Sequence, residues 1–151
     1  MPPHWKIGEL AKLTAAQPET IRYYEREKLL PSPPRTAGNY RLYGQPHVDR
    51  LTFIRHCRAL DMSLQEIRAL LKFYDAPRVN CGGANSVIDT HIADISRRIE
   101  ELKRLRGHLK TLRGLCTKGQ AAKNCEMLQE LSAPPSATSS KRRQAARSIS
   151  K

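Results

Sequence analysis

The longest uninterrupted apolar rhythm in the chain runs from about Ser86 to Cys116. Ile88, Ile95, Leu102 and Leu109 recur every seven residues, with Cys116 at the next step. Ile92 and Ile99 stand four residues after the first two, and Leu105 and Leu112 widen the stripe. Alternating steps of four and three make the seam of a helix that pairs with another helix. Arg97, Arg98, Glu100, Glu101, Lys103 and Arg104 fall between the apolar positions, as solvated flanks do. One reading is the core helix of a monomeric bundle. The chain has no second helix of like length, so a homodimer seam fits better.

Upstream, the rhythm is shorter and more often broken. Ile7, Leu10, Ala11 and Leu13 predict a short amphipathic helix, with a turn from Thr14 to Gln17. Pro18 suits the first position of a second helix, where its missing N–H costs nothing, and Glu19 suits the positive end of the helix dipole. That helix is expected to reach about Lys28, carrying Ile21, Arg22, Tyr23, Tyr24 and Arg26. Two short helices about a tight turn form a helix-turn-helix pattern with the cations on the second. Adjacent tyrosines point about 100° apart on a helix, so one packs and the other is available to phosphate. Prolines at 31, 33 and 34 stop the helix. Gly38-Asn39 then predicts a hairpin between two short extended pieces, a wing bearing Arg35, Tyr40, Arg41 and Tyr43. A third helix is expected from Pro46 to Leu60, with Cys57 as a small buried hydrophobe. Ser63-Leu64-Gln65-Glu66 reads as a capping box opening a fourth helix to about Tyr74. Cys81-Gly82-Gly83 reads as a flexible corner before the long helix, and Cys125 to Leu131 as a short helical turn.

Composition turns this pattern toward a function. The chain of 151 residues has a formal net charge of +13, 39% hydrophobic residues and only 5% aromatic ones. An aliphatic, mainly α core and a polyanion partner follow, with nucleic acid first among candidates. No apolar run approaches the ~20 residues of a membrane span, and Met-Pro-Pro-His-Trp-Lys lacks a signal peptide's apolar middle. A cytoplasmic protein is expected, where cysteines serve as metal or redox groups more readily than as disulfides. Residues 132–151 change to Pro, Ser, Ala and Thr with five cations and no acid, which reads as a disordered basic tail. The expected organisation is 1–75 for the winged helix-turn-helix with its linker helices, 76–131 for the dimerisation helix and metal loop, and 132–151 for the tail.

The cysteines give the long helix its chemistry. Cys81 and Cys116 are 35 positions apart, on the order of 50 Å along a helix axis. They cannot meet within one chain. In an antiparallel coiled-coil dimer, Cys81 of one subunit meets Cys116 of the other, and Cys125 folds back through a loop containing Gly119. Two symmetric three-thiolate sites across the interface are then expected. Three soft sulfurs suit Hg(II), Pb(II) or Cd(II); structural Zn(II) prefers four ligands, and no Cys-x-x-Cys pair is present. His91 could add a nitrogen, or could be an ordinary exposed helical histidine. A thiol enzyme is the weakest class, since no nucleophile motif or triad spacing occurs. A regulator answering an oxidant or an organic ligand remains open.

Lys6-Ile7-Gly8-Glu9-Leu10-Ala11, Glu19-Thr20-Ile21-Arg22-Tyr23-Tyr24-Glu25, Leu29-Leu30-Pro31 and Asn39-Tyr40-Arg41-Leu42-Tyr43 resemble the DNA-binding half of the MerR family. The order of elements resembles that family's from Lys6 to Leu131. The resemblance implies a homodimer on a promoter with an over-long spacer. The metal-free form holds RNA polymerase unproductively, and the metal-bound form bends and untwists the DNA. By position it implies DNA contacts from Lys6, Arg22, Tyr24, Arg35, Tyr40 and Arg41. Copper(I) sensors of the family typically lack a cysteine before the long helix, and the stretch from Cys81 to Ile92 is similar to the cadmium/lead branch. Cd(II) or Pb(II) is therefore the expected effector, with Hg(II) next and Zn(II) possible.

Overall fold

The computed structural model describes residues 3–135. These form two compact units, one ending at Ala93 and the other beginning at Asp94. The described residues carry helices α1 (Ile7–Thr14), α2 (Pro18–Arg26), α3 (Gln45–Ala59), α4 (Leu64–Tyr74), α5 (Gly82–Gly114) and α6 (Glu126–Ser132). A 3₁₀ turn, Ala122–Asn124, precedes α6. The mainly α class stands, and no described helix is long and apolar enough to cross a membrane. Of the expected basic tail, residues 136–151 lie outside the described residues.

In the first unit, α1 packs on both α2 and α3. Leu10, Ile21, Leu29, Leu30, Tyr43, Leu51, Ile54, Met62 and Ile67 are fully buried there. Cys57 joins them, as its place on an apolar helix face led one to expect. Burying side chains of this size supplies about 1.5–3 kcal/mol each, the main force closing so small a unit. The two helices of the helix-turn-helix end on arginines borrowed from later helices. Arg55 donates to the Thr14 carbonyl at the end of α1. Arg68 donates to the Glu27 carbonyl just past α2 (2.9 Å), and Arg50 to the Leu29 carbonyl (2.5 Å). Helix-end carbonyls lack intrahelical donors and carry partial negative charge, so these cations satisfy both needs.

Three expectations are corrected in detail. The second helix stops at Arg26, short of Lys28, because Lys28 takes a left-handed φ of 57°. The amides of Leu29 and Leu30 then both bond the Tyr24 carbonyl, at 3.0 and 3.2 Å, which turns the two leucines into the core. The wing forms as a hairpin turn with Asn39 left-handed, but its pairing is confined to isolated bridges, Arg35 with Arg41 and Trp5 with Tyr43. Prolines at 31, 33 and 34 deprive one arm of amide donors, so no ladder can extend. Finally, Gly82 and Gly83 are not a corner; they are the first residues of α5. A Cβ on Gly83 would lie 2.3 Å from Cζ of the Phe73 ring, so glycine there permits α5 to start hard against the end of α4. The Ser63–Glu66 capping box is present, with bonds of 2.7 and 3.2 Å.

Candidate metal centre and nucleic-acid interface

The second unit holds a thiol pair. Cys116 follows the last turn of α5, and Cys125 caps α6. The 3₁₀ turn between them lets the chain fold back, so that each thiol influences the titration of the other, and Cys116 Sγ also donates to the Lys118 carbonyl at 3.8 Å. The Leu128 amide, opposed by partial burial and aided by Cys116 and the Met127 amide, lowers the Cys125 thiol from its ordinary value. Cys116 shifts the other way, first through its interaction with Cys125. Of the pair, Cys125 loses its proton the more readily, and two neighbouring sulfurs suit a soft cation. Cys125 is buried, whereas Cys81 is exposed in the first unit, where its carbonyl accepts from Asn85 N–H at the start of α5 (3.1 Å). Among the described residues of one chain, no three His, Cys, Asp or Glu side chains gather to hold a metal.

His91 departs from the ligand role considered for it. Its Nδ1 lies 2.8 Å from Glu66 Oε1, and its Nε2 lies 2.9 Å from the Leu60 carbonyl. Both ring nitrogens face oxygen acceptors, so the doubly protonated imidazolium suits the site. The Leu60 carbonyl, ahead of Glu66, raises its pKa against a smaller effect of burial. Burial works to raise Glu66, but the Ser63 amide and hydroxyl, together with His91, hold its carboxyl below the usual value. His91 thus bridges α5 to the α3–α4 junction, with both ring nitrogens engaged.

The DNA-facing candidates come together in the first unit. Lys6 caps α1, its N–H bonded by Glu9 at 2.7 Å, and its ammonium stands 5.5 Å from the centre of the Tyr40 ring. Arg35 donates to Asn39 across the wing turn at 2.7 Å. Arg41 Nε meets Glu25 Oε2 at 3.2 Å, and the Tyr43 hydroxyl donates to Glu25 Oε1 at 2.6 Å. Arg22, on α2, is close enough to influence Tyr43 electrostatically and is itself paired with Glu19. Tyr24 is the correction here: it is 6% exposed and belongs to the core. Tyr23, one residue earlier, is exposed, with Arg26 5.9 Å from its ring centre. Of two adjacent tyrosines, the one on the Ile21 side of α2 packs inward. The 3.6-residue period leaves that choice open until the helix is docked.

Comparison with known proteins converges on one family. The MerR HTH family regulatory protein pattern matches residues 5–74, and the pattern described as MerR, DNA binding matches residues 48–112. The chain is 48% identical over 108 residues to the HTH-type transcriptional regulator ZntR homolog of Haemophilus influenzae, covering 72% of this chain and 80% of that one. It is 39% identical over 127 residues to the mercuric resistance operon regulatory protein of Bacillus cereus, covering 84% and 96%. Its fold matches the crystal structure of the transcription regulator PbrR691 from Ralstonia metallidurans CH34 in complex with lead(II). There the TM-score is 0.78 and the identity 44%, over 83% of this chain and 98% of the other. With a helix-turn-helix, a wing and a long helix ending at a thiol pair, the chain belongs to the MerR family of DNA-binding transcriptional regulators and is not an enzyme.

Proposed function

We propose that this regulator is a homodimer that holds a heavy-metal resistance promoter silent without metal and activates it when Cd(II) or Pb(II) binds. Each site takes Cys116 and Cys125 from one subunit and Cys81 of the partner subunit. The Cys116–Cys125 pair carries the reading: two neighbouring sulfurs, one of them the more readily ionised, supply two of the three ligands of a soft-metal site. The exposed apolar residues of α5 support the dimer. Ile88, Ile92, Ile95, Ile99, Leu102 and Leu109 are all exposed, from 38% at Ile88 to 58% at Leu109. So many exposed large aliphatics on one helix call for a partner surface, and an antiparallel copy supplies it.

Lys6, Arg22, Tyr23, Arg35, Tyr40 and Arg41 serve as the DNA contacts, mostly to phosphate, on both half-sites. Bending and untwisting a promoter costs about 1–6 kcal/mol. Metal binding offsets that cost only if its free energy differs between two dimer arrangements, and a site completed by both subunits has that property. RNA polymerase, already engaged, then finds the promoter elements realigned.

Induction of the native promoter across Cd(II), Pb(II), Hg(II) and Zn(II) tests the effector. The reading expects cadmium or lead to act at the lowest concentration. A response to mercury alone would favour the kind of regulator named for the Bacillus cereus relative. Cys81→Ser, Cys116→Ser and Cys125→Ser should each reduce induction about tenfold or more, with metal-free DNA binding retained. Normal induction in any of them removes that residue from the site.

A further inference from the structure

We propose that Glu25 is a positioning residue for DNA recognition, holding Arg41 of the wing against the end of α2. The inference rests on the assignment of Arg41 to the DNA interface. An acid at this place is otherwise hard to account for. Glu25 is the second-last residue of α2, where the helix dipole disfavours an anion. Its side chain is 7% exposed, and an unpaired buried carboxylate is costly. It also stands among candidate phosphate contacts in a chain whose charge suits a polyanion.

The geometry answers each objection. One carboxylate oxygen accepts from the Tyr43 hydroxyl at 2.6 Å, and the other meets Arg41 Nε at 3.2 Å. Burial and the carboxylate itself push the Tyr43 phenol well above its ordinary value, so that phenol stays a donor. The Arg41 contact is made through Nε, so it does not consume the two terminal amino groups, which suit a phosphate. The wing has isolated bridges instead of a ladder. Its setting against α2 therefore rests on side chains, on Tyr43 buried in the core and on polar bonds of this kind. Glu25 gives up one unit of attraction for DNA and fixes where Arg41 stands, which avoids immobilising a long side chain at the moment of binding.

The test uses the full-length protein and a duplex that the wild type selects from a random-sequence pool. Binding is read by anisotropy over a series of salt concentrations. Glu25→Gln keeps an acceptor for Tyr43 but loses the charge that holds Arg41. It should bind about tenfold more weakly, with a salt slope smaller by about one. Arg41→Ala should do the same, and the double variant should bind no more weakly than Arg41→Ala alone. Equal or tighter binding by Glu25→Gln would show simple repulsion and overturn the proposal, as would losses that add in the double variant. A silent Arg41→Ala would remove Arg41 from the interface, and the proposal with it. A silent Glu25→Gln beside a weakened Arg41→Ala overturns the positioning role alone. Melting curves of each variant show that the protein compared is folded. If Glu25→Ala is made as a harsher probe and does not fold, the Gln cycle still decides.

Discussion

His91 and His47 answer acid in opposite senses, because the fold raises the pKa of one and lowers that of the other. His91 points both nitrogens at acceptors, first the Leu60 carbonyl, and its pKa is raised. Its contribution to stability is therefore complete below about pH 6.5 and fades as pH rises through the raised folded value. His47 is driven down first by burial, and its Nδ1 accepts from Gly44 N–H at 3.1 Å, which needs the neutral ring. Its contribution is present above about pH 6.5 and is lost as pH falls through the lowered value. Glu66, held below its usual value despite burial, contributes above the ordinary carboxylate range. His91→Gln should thus cost about 1 kcal/mol in mildly acidic solution, the net worth of a typical hydrogen bond, and less in alkaline solution. Thermal melts of both proteins across pH decide it. A gap that widens with alkali would mean that His91 is neutral in the folded chain.

At the scale of the element, the helix-turn-helix is held by its ends. Ala15, which closes α1, takes a left-handed φ of 48°, and Lys28 beyond α2 takes 57°. Non-glycine residues pay a steric penalty there of about 1 kcal/mol. Ala15→Gly should raise stability by about that amount by melting, and a fall would show that the alanine methyl makes a needed contact. Arg55 and Arg68 close the same helices from outside by capping carbonyls. These cations belong to the fold, so the net charge overstates what is presented to DNA. Local pattern anticipated the existence of each helix and the Ser63 capping box, because periodicity and caps depend on residues within a few positions. It missed the helical start of α5, because two glycines in series signal flexibility unless a ring such as Phe73 lies where a side chain would stand.

For the whole molecule, the proposal stands or falls on two copies of the chain. Ile95→Glu with Ile99→Glu puts charge on the exposed apolar positions of α5 and should convert the dimer to monomer in sedimentation. A persistent dimer would move the seam elsewhere. Sharing of the metal across subunits has a sharper test. A heterodimer with Cys81→Ser in one subunit and Cys116→Ser in the other gathers both lesions into one site and leaves the second intact. Titration with Cd(II), followed by thiolate absorbance, should find one site per dimer. Loss of both would mean that each site draws its ligands from a single chain.

The amino-acid pattern by itself determined the mainly α class, the winged helix-turn-helix order and the long helix with its apolar stripe. These are carried by spacing along the chain, and spacing is local. Only the tertiary structure decided that Tyr24 is core while Tyr23 faces out, that Arg55 and Arg68 close helix ends, and that Arg50 holds the Leu29 carbonyl beyond α2. It also decided that His91 bridges Glu66 and Leu60, and that Glu25 sits beneath Arg41 and Tyr43. Nearly all of these are contacts between residues well separated in sequence. A helical period says which residues share a face, but docking decides which face is buried and what meets it there.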